Sequence, residues 1–148
     1  MYRVSELLGE KKEHGTVGVI TVGDGETALE AARIMNEQHI GSLLVLDQAG
    51  TLVGIFTERD MLRRVVAAEV DPSSVTVGTI MTNPVLTCEP GTRLEELRKV
   101  MREQRIRHLP VVDDGRLTGM VSIGDLNFAE TETLVETIRS LESYIAGA

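Results

Sequence analysis

The sequence predicts an α/β (α+β) fold made of tandem, pseudo-two-fold β-α-β-β-α repeats, and three observations carry that prediction. The chain repeats itself: IMNEQHIGSLLVLD (34 to 47) lies over VMREQRIRHLPVVD (100 to 113) at an offset of 66, with the Met, Glu, Gln, Ile, Leu, Val and Asp identical. Past the next turn the offset is 65, so LVGIFTERD (52 to 60) lies over LTGMVSIGD (117 to 125), Gly54 over Gly119 and Asp60 over Asp125. That one-residue change falls where DQAGT is longer than DDGR, and a turn between strands absorbs it at least cost. Within each copy the apolar period then switches from strand-like to helical and back.

The elements follow in order. A short apolar strand, VGVITV (17 to 22) or PVLTC (84 to 88), leads through a Gly-containing turn into a helix. Apolar residues at 28, 31, 34 and 35 in one copy, and at 94, 97, 100 and 101 in the other, put one face of that helix on a core. Thr92 with Glu95 forms a capping-box pattern at the second helix start, and Thr27 with Glu30 offers the same in the first. SLLVL and LVGIFT, and likewise HLPVV and LTGMVS, are separated by Asp/Gly turn residues and read as hairpins. A last helix opens at ERDMLRRVVAA or IGDLNFAETE. Leu134, Ile138, Leu141 and Ile145 then continue at helical spacing. The expected organisation is repeat 1 with its leader over 1–73, repeat 2 over 74–130, and a C-terminal helix over 131–148.

Bulk properties narrow the function classes. A chain of 148 residues, 42% hydrophobic and 26% charged, has the composition of a soluble globular protein. Its apolar runs are strand-sized, and MYRVSELLGEKKE has no apolar stretch behind a basic one, so a cytoplasmic protein is expected. The single cysteine, Cys88, excludes an intramolecular disulfide and a cysteine-built zinc site. A net charge of −8 argues against nucleic acid or an anionic membrane as partner, since both need a broad positive surface. A small anion remains possible, because it needs only local amides and one or two cations.

The stretch TVGDGETALEAA (21 to 32) imitates a dinucleotide fingerprint. Gly23, Gly25 and Ala28 satisfy G-x-G-x-x-A, and Asp47 stands where a ribose-binding acid belongs. The repeat argues against it. Position 23 maps to Glu89 and 24 to Pro90, so only Gly25 and Gly91 recur, and a second strand arrives where a Rossmann half needs a helical crossover.

Chemistry concentrates instead at TERD (57 to 60) and SIGD (122 to 125), each ending a strand and opening a helix. A Thr or Ser N-cap with Asp at N3 satisfies free backbone donors without any ligand. The same geometry also offers amides and a hydroxyl to a phosphate, and a carboxylate to two ribose hydroxyls. Cations differ between the copies: Arg105, Arg107 and His108 precede the second hairpin, where the first copy has His39, Gly41 and Ser42. Conversely, Arg59 in TERD is replaced by Gly124 in SIGD. Two unequal sites are therefore expected, the first less preformed because Asp24 stands where the second copy has Pro90. Arg102 and Lys99 read as solubilising charge, and His14 and His39 as exposed and idle. No paired-ligand spacing supports a metal, and neither Ser122 nor Thr57 has a His–Asp partner, so no catalysis is expected.

GIFTERD, GMVSIGD, IRHLPVVDD and VGTIMT, in order on a tandem β-α-β-β-α repeat, resemble a CBS-domain pair, or Bateman module. The resemblance covers nearly the whole chain. RVSELL looks like a shortened counterpart of TVGTIM, and the ending LESYIAG is similar to that of stand-alone bacterial members. The resemblance implies a non-catalytic regulatory module that binds adenosine-containing ligands (AMP foremost, also ADP, ATP, NAD(H) or S-adenosylmethionine) in clefts between the two repeats, with no required cofactor. On that resemblance Asp60 and Asp125 match ribose-binding aspartates, Thr57 and Ser122 the nearby hydroxyls, and Thr21 and Thr87 positions at the adenine end. Ile40, Ile106 and Pro110 are candidate apolar walls, with Arg59, Arg107 and His108 meeting phosphate charge. A homodimer joined through helices in a flat disc, and a separate effector protein, are the implied partners. The rival reading is a dimerisation scaffold with no nucleotide, because one fold serves both.

Overall fold

The computed structural model describes residues 3–10 and 19–147 with their side chains, and 11–13 as backbone. His14, Val17 and Gly18 lie outside the described residues. In chain order the elements are α1 (Val4–Glu13), β1 (Thr21–Gly23), α2 (Ala28–Gln38), β2 (Ser42–Leu46), β3 (Leu52–Thr57), α3 (Glu58–Met61, carried on by a π-type turn, Leu62–Val66), α4 (Val77–Ile80), α5 (Leu94–Gln104), β4 (His108–Asp113), β5 (Arg116–Ser122) and α6 (Ile123–Ala146).

These elements pack as two units, residues 19–86 and residues 1–18 with 87–148. The packing boundary thus differs from the linear one expected at 73/74. Helix α1 joins the later unit because its apolar face completes that core: Val4 and Leu7 are buried with Cys88, Leu97, Met101, Leu109 and Val121. Its first turn is tied there by backbone bonds from Val4 N to Thr92 O and from Ser5 N to Pro90 O, each 2.9 Å. Residues 75–82 do the same for the earlier unit: Ala28 N donates to Val75 O (2.9 Å), Thr76 bridges Thr27, and Val77 and Ile80 enter a core with Val22, Met35, Leu43, Val45 and Phe56.

In the 19–86 unit, β1 runs parallel to β2 and β2 antiparallel to β3. Thr27 caps α2 by accepting from Glu30 N at 3.1 Å, as its sequence position implied. The β2–β3 turn uses Asp47, whose carboxylate accepts from Ala49 N and Thr51 N at 2.9 and 2.8 Å. The apparent ribose acid of the false fingerprint is therefore a turn residue.

The other unit repeats this plan with three departures from expectation. PVLTC does not form a regular strand; only Cys88 bridges Val111, in parallel. In the first unit Leu44 N reaches back to Ile20 O at 3.4 Å, whereas the residue in Leu44's place is Pro110, which has no N–H to offer Leu86. Thr92 does not cap α5. The N-cap is Arg93, without a side-chain bond, and the Thr92 hydroxyl accepts from Glu89 N at 3.1 Å instead. Finally, α6 is one helix from 123 to 146, so the separate helix expected over 131–148 is its continuation. The β4–β5 turn places Asp114 at φ 50° and Gly115 at φ 77°, the left-handed pair of a type I′ hairpin.

Candidate functional site

In the 19–86 unit the antiparallel register sets Ser42 opposite Thr57, so the chain entering β2 at Ile40 and Gly41 lies beside the end of β3. Glu58 N donates to Gly41 O at 3.0 Å, closing that end. Thr57 and Asp60 form a complete capping box: Asp60 N donates to Thr57 Oγ1 at 3.2 Å and Thr57 N to Asp60 Oδ2 at 3.0 Å. The Thr57 hydroxyl also lies 3.2 Å from Oδ2. The other carboxylate oxygen, Oδ1, accepts from Thr82 Oγ1 at 2.8 Å and has Arg64 Nε at 4.0 Å. Arg64 is anchored by donating to the carbonyls of Ile80 and Met81 at 3.0 and 2.7 Å. Asp60 is only 6% exposed, a carboxylate held inside its own unit by a hydroxyl, an amide and a nearby guanidinium. Arg59 points to the exposed side of the same turn.

The 87–148 unit builds the same arrangement from different residues. His108 faces Ser122 across β4–β5, and Ile123 N donates to Arg107 O at 2.8 Å. Ser122 N donates to Asp125 Oδ2 at 2.8 Å and Asp125 N to Ser122 Oγ at 3.1 Å, again a complete box, opening a 24-residue helix. Here Asp125 is partly exposed. A different segment covers each hairpin. Gly54 packs so tightly on Met81 that a Cβ there would overlap its side chain, and Gly119 packs on Leu8, with a Cβ 2.8 Å from Cδ2. Met81 is followed by Thr82, which bridges Ile55, whereas Leu8 is followed by Gly9 within helix α1.

The structure therefore brings Arg107, His108, Ser122 and Asp125 together at one strand end, and Ile40, Thr57, Arg59 and Asp60 at the other. Thr21 lies one strand away, opposite Leu44, two residues along β2 from Ser42. Thr87 holds the corresponding place, exposed and outside any regular strand. Ile40 and Ile106 are half-buried against the cores of their own units, and Pro110 is buried with its carbonyl accepting from Cys88 N at 2.9 Å. Arg105 and His39 share another role: each ends a helix in the left-handed region, at φ 54° and 55°, donating its N–H to Met101 O and Met35 O. Sequence reasoning missed Thr82 and Arg64. The i, i+4 spacing of Asp60 and Arg64 is a readable signal; the reach of Thr82, 22 positions away, is not.

A groove of about 380 Å³ opens on the 19–86 unit, lined by Met35, His39, Ile40, Gly41, Glu58 and Met61 among others. It adjoins the entry to β2 and excludes Asp60. Cys88 is buried, and desolvation pushes its thiol up to about 11 from 9.0. Among the described residues no group of three His, Cys, Asp or Glu side chains is placed to hold a metal, and no helix is long and apolar enough to cross a membrane.

Comparison with known proteins adds three findings. A family model described as the CBS domain matches twice, at residues 12–67 and 77–141. The chain is 32% identical over 148 residues to the CBS domain-containing protein CBSX3, mitochondrial, of Arabidopsis thaliana, covering 97% of this chain and 72% of that one. Among solved structures, the CBS-domain containing protein ATU1752 of Agrobacterium tumefaciens superposes with a TM-score of 0.79 at 35% identity, over 87% of this chain and 99% of that one. The CBS domain protein PAE2072 of Pyrobaculum aerophilum, complexed with AMP, gives 0.73 at 27% identity, over 84% and 89%.

Proposed function

This chain belongs to the CBS-domain family, and from that premise we propose that it is a non-catalytic regulatory module that senses an adenosine-containing nucleotide, AMP before ADP, ATP or NAD(H). The observation that carries this reading is the Ser122–Asp125 box. A strand end presents a hydroxyl, the first amides of a long helix and a partly exposed carboxylate, with Arg107 and His108 on the adjoining strand entry. A nucleotide asks for that combination: amides and cations for phosphate, a carboxylate for ribose hydroxyls. Ile106 and Pro110 supply the apolar side of such a site, and Thr87 its far end. The AMP complex of PAE2072 supports the ligand class. Thr21, Ile40, Thr57, Arg59 and Asp60 make the second, weaker site, because Asp60 is buried at 6% exposure whereas Asp125 is partly exposed. Output passes through a separate effector protein and a homodimer.

The scaffold reading draws on one observation of its own, the saturation of Asp60 by Thr57 and Thr82. Thermal unfolding of nucleotide-stripped protein against AMP, ADP, ATP, NAD, NADH and S-adenosylmethionine separates the two. A ligand at 100 times its Kd adds about 2.7 kcal/mol, which moves Tm by several degrees in a domain of this size. The expected result is a shift with at least one adenosine compound that Asp125→Ala abolishes and Asp60→Ala largely keeps, each measured against that variant's own baseline. Folded protein that shifts with none of them makes both boxes simple helix caps and leaves the scaffold.

A further inference from the structure

Helix α6 does two things along its length. Up to Ala129 it is part of its own unit, burying Leu126 and Ala129 at 2% and 3% exposure. From Glu130 to Gly147 every residue is exposed, and the exposed set includes Leu134 (58%), Ile138 (54%), Leu141 (57%) and Ile145 (74%), flanked by Val135 and Tyr144. Five turns of helix with a bare apolar stripe do not persist in water without a partner for that stripe.

Two features say what the partner is. The spacings 134, 138, 141, 145 alternate four and three, a heptad seam with Leu134 and Leu141 at d and Ile138 and Ile145 at a, after Thr131 at the first a position; Ile at a with Leu at d favours two parallel strands. Glu132, Glu136 and Arg139 fall at the outward b and f positions. At the flanks Thr137 would face Glu142 and Glu130 would face Val135, so no like charges oppose in a parallel pair. Glu130 is already paired with Arg98 of its own unit at 3.0 Å. The seam also lies about 120° around the helix from Leu126 and Ala129, at 100° per residue, so the face that docks on its own unit is not the face left bare. The six exposed side chains of two copies amount to roughly 1,000 Å², about the threshold that a specific interface has to clear.

We propose that residues 130–147 are a parallel two-stranded seam to a second copy of this chain, with Leu134, Ile138, Leu141 and Ile145 each meeting its own counterpart. This deepens the homodimer named above and stands independently of any nucleotide.

The test uses the full chain in a Cys88→Ala background. Oxidation of Ile138→Cys or Leu141→Cys should give a covalent dimer, because an in-register parallel seam brings each residue to itself, while Ser140→Cys on the outer face should not cross-link. Separately, Ile138→Asn should raise the dimer dissociation constant at least tenfold by sedimentation, with unchanged circular dichroism showing that the exposed position leaves the fold intact. A monomeric wild-type chain at micromolar concentration overturns the proposal. So does a dimer that persists in Ile138→Asn and fails to cross-link at 138 and 141, since another face would then hold it.

Discussion

Single residues here carry consequences that follow from burial alone. The Cys88 thiol donates toward Pro110 O at 3.6 Å from a buried position, and its titration is raised from 9.0 to about 11. In the unfolded chain the thiol ionises near the ordinary value, so between about pH 9 and 11 the unfolded state has lost a proton that the folded state keeps. Stability is therefore full below pH 9 and falls as pH rises toward 11. Urea titrations across that window should show the decline in wild type and a flatter profile in Cys88→Ala; equal slopes would mean the thiol is not responsible. Thr82 is the second case. Its hydroxyl is the protein donor to Oδ1 of a carboxylate that is 6% exposed, and a hydrogen bond to a buried charge contributes about 1.5–3 kcal/mol. Thr82→Val should destabilise the chain by about that amount in urea. A change under about 0.5 kcal/mol would show that the bond does not form in solution.

At the scale of elements, the sequence made visible whatever depends on period or on local chemistry. The helices over 28–38 and 94–104 follow from apolar spacing, and the hairpins from alternating strands around Asp/Gly turns. Both capping boxes at the strand ends were legible because Ser or Thr and Asp sit three apart. What escaped depended on a partner elsewhere. The loss of the strand at 84–88 needs Pro110 to be recognised as its neighbour, 22 residues from Cys88, and only the folded register shows that. The cap of α5 slipped by one residue because Thr92 has a competing use for its hydroxyl in the turn at Glu89. Of the candidate site, each half was readable as a strand end with its box. An inequality between the halves was expected from the arginines; the structure adds that Asp60 is buried and accepts from Thr82, whereas Asp125 is partly exposed.

For the whole molecule, the point that linear reading misplaced is which segment completes which core. Residues 19–86 are continuous, whereas the other unit is assembled from the N-terminal helix and the chain from 87 onward. Removing residues 1–18 should leave the first unit's amides protected in hydrogen exchange while those of β4 and β5 lose protection, because Val4 and Leu7, at 0% and 2% exposure, vacate that core. Uniform loss or uniform retention across the two units would contradict the division.

The same exchange of leaders imposes a schedule on synthesis. Val4 leaves the ribosome long before Pro90 and Thr92, the residues whose carbonyls receive its first turn; at about 5–20 residues per second that interval is roughly 5–20 s. Leu86, the last residue of the first unit, emerges 43 residues ahead of Ala129, which the later core also needs, and that lag of about 2–9 s lets residues 19–86 close on themselves while an amphipathic N-terminal segment waits with its apolar face unclaimed. The opening helix thus waits for segments made much later, and a nascent chain stalled once residue 86 has emerged carries one unit able to close and one exposed, adhesive end.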